Sequence, residues 1–113
     1  MGRVIKSGDT FRELIDNINS GTLDTVTGAL DIQNAISVFV SIKEASGDLD
    51  AAVFTLQYSP NDVDWADTTH SITFAAETYL SKNNLPVTAR FVRVKTTTKS
   101  TIASTADIII QAK

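Results

Sequence analysis

The sequence contains no cysteine. That excludes disulfides and thiolate-based metal or redox sites. Small secreted domains often depend on disulfides, so the absence favours assembly in a reducing cytosol. There is one histidine, His70. It has no second imidazole to share a metal with, and a Ser-His-Asp arrangement would have to form around it without a strained nucleophile turn. The five glycines are all separated, which removes phosphate-cradling loops. No apolar run approaches the about 18 residues that cross a bilayer. The start, Met-Gly-Arg-Val-Ile-Lys-Ser-Gly-Asp, lacks the apolar stretch of a signal peptide and fits a myristoylation signal poorly. Basic residues are also few: ten against thirteen acidic, for a net charge of −3. Electrostatics gives no help with nucleic acid. Arg90, Arg93, Lys95 and Lys99 come close together, but without interleaved exposed aromatics they read as solvated strand faces.

What is present is ordinary globular material. At 113 residues and 42% hydrophobic, the chain is one domain, able to bury roughly 65% of the surface its unfolded form exposes. From Ile32 onward the apolar period is two. Ile36, Val38, Val40 and Ile42 share a face; so do Ala52, Phe54, Leu56 and Tyr58, then Val92 and Val94, then Ala106, Ile108, Ile110 and Ala112. Turn signals separate these runs at Glu44–Asp48, Ser59–Asp62, Lys82–Asn84 and Thr98–Ser100, with Pro60 pre-setting φ at the second of them. Glu77–Ser81 reads as a short strand and Pro86–Thr97 as a long one. Phe11, Leu14, Ile15 and Ile18 stand at i, i+3, i+4 and i+7, so a short helix or an irregular arm is expected there. The pattern predicts an all-β chain: an antiparallel sandwich or jelly roll of about seven or eight strands. Residues 1–30 form an N-terminal arm with the first strands, and residues 31–113 the sandwich body.

Little in this pattern carries chemistry. Asp62, Asp64 and Asp67 are spaced as carboxylates that could approach Ca²⁺, but without the glycine and distal glutamate of a hand-type loop, so turn and solvent roles are expected. No catalytic, cofactor-binding or metal-binding residue is assigned, and no enzymatic activity is expected. Trp65, directly after the Ser-Pro corner, is expected to plug the end of the core; a partner contact and a sugar-stacking platform are the other two readings. Phe39, Val53, Phe91 and Ile109 fall on nominally wet strand faces. Four such residues on four strands indicate either a subunit contact or cover from a loop or the N-terminal segment.

Two stretches carry a resemblance. Leu56-Gln57-Tyr58-Ser59-Pro60-Asn61-Asp62-Val63-Asp64-Trp65, followed by Ala89-Arg90-Phe91-Val92-Arg93-Val94 and a closing apolar strand, resembles small β-sandwich virion proteins of tailed bacteriophages. It is also similar to discoidin-like jelly rolls, where a Ser-Pro-Asp-Gly-x-x-Trp corner and an Ala-Arg-Tyr-Val-Arg strand occur in that order. The resemblance covers residues 36–112. Val63 stands where the corner usually has glycine, and the bracketing cysteines of secreted discoidin domains are absent. The resemblance implies a structural virion protein, assembled in the host cytoplasm. Its expected form is a capsid decoration (cement) protein that binds between major capsid subunits as a homo-oligomer, a trimer by preference. It implies no cofactor, nucleic acid or membrane partner. A tail, neck or fibre component and a carbohydrate-binding module are the alternatives. Val4, Ile5, Phe11 and Phe39 are the candidate partner contacts.

Overall fold

A computed structural model describes residues 4–7 by their backbone and residues 11–113 in full. Among the described residues the regular elements are nine strands: β1 (Val4–Ser7), β2 (Arg12–Asn19), β3 (Leu30–Asp31), β4 (Val38–Ser46), β5 (Val53–Ser59), β6 (Ala66–Thr73), β7 (Tyr79–Leu85), β8 (Phe91–Thr98) and β9 (Thr105–Ala112). They form two antiparallel sheets, one ordered β1-β2-β9-β4-β7 and the other β3-β8-β5-β6. From β2 onward the chain crosses between sheets at every step except β5 to β6. Two facing four-stranded sheets with this connectivity are a jelly roll, to which β1 adds an edge.

The period-2 runs supply the core. Leu14, Ile18, Val38, Val40, Ile42, Ala106, Ile108 and Ile110 face inward from the larger sheet; Phe54, Leu56, Tyr58, Ile72, Val92 and Val94 face them from the smaller one. Complete burial of one such side chain contributes about 1.5–3 kcal/mol. Leu49 and Phe74 close one end, where the Phe74 ring meets Phe54 edge to face at 5.9 Å. At that end Gly47 has φ +70°, and a Cβ there would lie 2.2 Å from the Ala103 carbonyl oxygen. Only glycine fits this turn without moving the backbone of the β8–β9 loop.

Several expectations are revised. The Phe11–Ile18 segment is not helical. Residues 12–19 are an eight-residue strand between β1 and β9, with Leu14, Asp16 and Ile18 buried. The polar Asp16 interrupts the inward row and hides its period. Its carboxylate is accommodated because it accepts hydrogen bonds from the backbone N–H groups of Asn17 and Gly28 at 2.9 and 2.8 Å. Ile36 does not continue the Val38 face; it precedes β4 and is 87% exposed. Lys82–Asn84 is strand, not turn, since β7 continues to Leu85 along β4. β8 begins at Phe91, five residues after Pro86.

Trp65 does not plug the core. It is half-exposed, with the Arg93 guanidinium 4.2 Å from its ring centroid. Tyr58 fills that end, buried among apolar side chains, and its hydroxyl donates to the Pro86 carbonyl. Burial pushes its pKa up to about 12. The corner outside it is held by Asn61, whose Oδ1 accepts from the N–H groups of Val63 and Asp64 at 3.0 and 2.9 Å. Asp62, not Val63, takes the left-handed conformation, at φ 62°.

Candidate interaction surface

In a jelly roll each sheet turns one face inward, so any contact made through sheet surface uses the two outward faces. Here they differ in kind. The outward face of the smaller sheet completes itself. Gln57 on β5 is buried; its Nε2 donates to Asp67 on β6 at 2.7 Å and its Oε1 accepts from Arg93 on β8 at 2.8 Å. Arg93 in turn covers Trp65. One row lower, the hydroxyls of Thr55 and Thr97 are hydrogen-bonded at 2.8 Å. Phe91 lies beneath the Arg90 guanidinium, 5.0 Å from its ring centroid. Asp31, joined to Arg90 by a 2.9 Å ion pair, is held below the usual carboxylate range chiefly by the hydrogen bond from Arg90.

The outward face of the larger sheet is not completed in this way. The strand register sets side chains in rows across β2, β9, β4 and β7. One row carries Ile15, Ile109, Ser41 and Ser81; the next carries Asn17, Asp107, Lys43 and Tyr79. Six of these line a shallow hollow of about 310 Å³: Ile15, Ile109, Ser41, Lys43, Asp107 and Tyr79. Its exposed lining is mostly apolar, and Tyr79 is 53% exposed. Two polar bonds on this face lie along its β2–β9 side: Asn17 donates to Asp107 at 2.8 Å, and Gln111 donates to Glu13 at 2.6 Å; at its far end the hydroxyls of Ser46 on β4 and Thr105 on β9 are hydrogen-bonded at 2.7 Å. Farther along the same face, Phe11 and Phe39 line a second hollow of about 90 Å³ with Asn83 and Asn84.

The sheet edges offer less. β3 spans two residues and β1 four. β6 and β7 each carry extra residues relative to their partner strands, between Asp67 and Ser71 and between Lys82 and Leu85. Bulges and short edges discourage strand addition.

Of the four sequence-derived contact residues, Phe11 and Phe39 come together at one end of the larger sheet's outward face, exposed and half-buried respectively. Val4 and Ile5 pair through their backbones with Ile15 and Leu14; their side chains lie outside the described residues. The four wet-face apolar residues divide between the sheets, with Phe39 and Ile109 on the larger and Val53 and Phe91 on the smaller. Ile15 and Tyr79 were missed as members of the surface. Ile15 was hidden by the helix-like spacing. Tyr79 stood at the start of a strand whose polar remainder read as a turn. Asp64 bonds to Asn61 and Asp67 to Gln57, and among the described residues no three His, Cys, Asp or Glu side chains gather as a metal site. His70 lies half-buried on β6.

No protein-family model and no curated protein matches the sequence. Among solved structures the chain is similar to one from Bacillus endospore appendages, described as a novel family of disulfide-linked pili. The TM-score is 0.57 at 15% identity, covering 99% of this chain and 88% of that one. It is also similar to the K1 cleaved adhesin domain of Lys-gingipain from Porphyromonas gingivalis W83, with a TM-score of 0.60 at 15% identity, covering 99% of this chain and 89% of that one. At this identity the likeness is one of fold: the chain is a small all-β sandwich with pilus and adhesin-domain structures among its neighbours, and neither of these two is a phage protein.

Proposed function

We propose that this chain is a non-catalytic structural subunit that docks onto other protein subunits through the outward face of its larger sheet. One observation carries the proposal: that face keeps a mostly apolar hollow between Ile15, Ile109 and Tyr79, while the opposite outward face is covered by its own Trp65, Arg93, Gln57 and Asp67. Covering the hollow with protein removes apolar area from water at about 25 cal/mol per Å² before association costs. The pilus and adhesin neighbours support a structural or adhesive role in general and give no preference for a phage head. With no cysteine, the chain cannot use the disulfide linkage of the appendage pili.

Within that role, the specific form we propose is a virion subunit assembled in the host cytoplasm, a capsid decoration protein bound between major capsid subunits. Its support is the Ser59–Trp65 corner followed by the Ala89–Val94 strand. A tail, neck or fibre position is the competing form. Glycan adhesion ranks second: its platform would be Trp65, Tyr58 or Tyr79, of which Arg93 covers the first, burial removes the second, and the third lines the hollow of the larger sheet.

Cosedimentation with expanded phage heads tests the proposal. The chain is expected to pellet with heads, and Ile109→Lys to abolish pelleting while the fold, read by circular dichroism, is retained. Absence of pelleting excludes the head. Binding on a glycan array that Trp65→Ala removes and Ile109→Lys leaves intact would move the function to adhesion.

A further inference from the structure

The outward face of the larger sheet is built as two unlike halves that fit each other. On β2 and β9, one row presents the branched side chains of Ile15 and Ile109; on β4 and β7, the same row carries the small side chains of Ser41, buried at the floor of the face, and Ser81, exposed. The hollow is lined from both halves, by Ile15, Asp16, Asp107 and Ile109 on β2 and β9 and by Ser41, Lys43 and Tyr79 on β4 and β7. In the next row Asp107 on β9 stands opposite Lys43 on β4. Among the described residues Lys43 forms no ion pair, and Asp107 accepts only the amide of Asn17.

We propose that a second copy of this chain covers the face, related by a two-fold axis that runs parallel to the strands between β9 and β4. Such an axis lays β9 of each copy over β4 of the other without changing height. Ile109 of one copy then enters the gap above Ser41 of its partner, and the reverse contact follows by symmetry. Asp107 of one copy meets Lys43 of the other, twice. Farther out, Ile15 faces Ser81, Asn17 faces Tyr79, and Gln111 faces Phe39. Aligned sheets pack with a rotation of about 30° that displaces the outer pairs most, so the ion pairs and the Ile109–Ser41 contacts, next to the axis, hold the register. Four strands at roughly 4.8 Å spacing and eight residues at roughly 3.3 Å give a plan area near 500 Å² per copy. The total of about 1,000 Å² meets the threshold for a biological interface, at the weak end of the size range. The inference rests on the reading of this face as a protein contact and names its occupant in the free chain; a capsid subunit that takes the same face would displace the second copy. It replaces the trimer implied by the sequence resemblance with a two-fold dimer.

Sedimentation velocity of the full chain over a concentration series tests it. The unmodified chain is expected to be a dimer. Lys43→Asp places carboxylates at both central positions of each copy, and Asp107→Lys places ammonium groups at both, so each variant repels itself. Each is expected to weaken the dimer at least about tenfold. Mixing the two variants restores both ion pairs, so a heterodimer is expected from two chains that are monomers separately. A merely structural effect of either change would not be reversed by mixing. A trimer, a monomer at every concentration, or a mixture that stays monomeric would overturn the two-fold dimer. If the chain is a monomer yet pellets with heads in an Ile109-dependent way, only the choice of occupant fails. If Ile109→Lys alters neither self-association nor pelleting, the face is not an interface and both proposals fall.

Discussion

Apart from the two-residue β3, the two outward faces of this jelly roll are made from strands of similar length and the same backbone geometry, yet they end in different states. On the smaller sheet, polar and charged side chains bond along the rows: Asp67 to Gln57 to Arg93, then Arg93 over Trp65. On the larger sheet, the central row is Ile15, Ile109, Ser41 and Ser81. Among the described residues no side-chain hydrogen bond runs along that row as Gln57–Arg93 does along the other. The difference separates two uses of a sheet surface. Side chains that satisfy one another add to the stability of the monomer, while a surface left apolar and uneven gains most when something covers it. Substitutions on the smaller sheet should therefore change stability and spare association, and substitutions on the larger sheet should do the reverse.

Gln57→Leu would break the first half of that contrast most strongly. It removes two hydrogen bonds at a buried position, one from the Arg93 guanidinium and one to the Asp67 carboxylate, both charge-assisted. A loss of about 2–3 kcal/mol is expected in urea or thermal unfolding, with the concentration dependence of the mass unchanged. Arg93→Ala acts on the same row from its other end, removing the bond to Gln57 and the contact over Trp65; about 1–2 kcal/mol is expected. Trp65 fluorescence should shift to the red as its ring gains water. If either variant disrupts association while leaving stability unchanged, the assignment of the two faces is reversed.

How much of this was legible in the sequence depended on whether a strand's inward row stayed apolar. β4, β5, β8 and β9 keep Val40, Leu56, Val94 and Ile108 on uninterrupted inward rows, so their period of two was visible. β2 places Asp16 between Leu14 and Ile18 and turns Ile15 outward. The combination imitates a helical stripe because spacings of three and four also occur when a strand is apolar on both faces. β7 is polar where it borders solvent. The interaction surface was half visible. Phe39 and Ile109 stood out as apolar residues of the wrong parity, but their partners on the face did not. That Lys43 is opposite Asp107 follows from the β4–β9 register, a pairing across 64 residues that no local pattern encodes. The corner gave its turn and withheld the position of Trp65, because a tryptophan after a turn fits equally well inside the core or beneath an arginine.

Tyr58 sharpens the contrast from inside. It neighbours Gln57 on β5 but points into the core, so it belongs to neither outward face. Its hydroxyl stays protonated to about pH 12 in the folded chain because burial disfavours the phenolate, whereas an unfolded tyrosine ionises near 10. The native state therefore holds the proton more tightly. Stability from this group is complete below about pH 10 and is lost as pH rises towards 12. Tyr58→Phe should cost about 1 kcal/mol at neutral pH, for the bond to Pro86, and should flatten unfolding free energy measured between those two values. An equally steep alkaline loss in that variant would assign the effect to another group.

The smallest effect on the monomer is expected from Ile109→Ser. Ile109 is half-buried on the outward face, packed beside Ile15 and Ser41 rather than in the core. At dilutions where the chain is monomeric, truncating it should lower stability by less than about 1 kcal/mol. As concentration rises the two proteins should diverge. A self-associating chain gains apparent stability by mass action, so the unmodified protein's melting temperature should climb with concentration while that of the variant stays level. The gap between the two melting curves then reads the interface alone. A loss above about 2 kcal/mol at high dilution would instead place Ile109 among the side chains that hold the monomer together, and the two outward faces would no longer differ in kind.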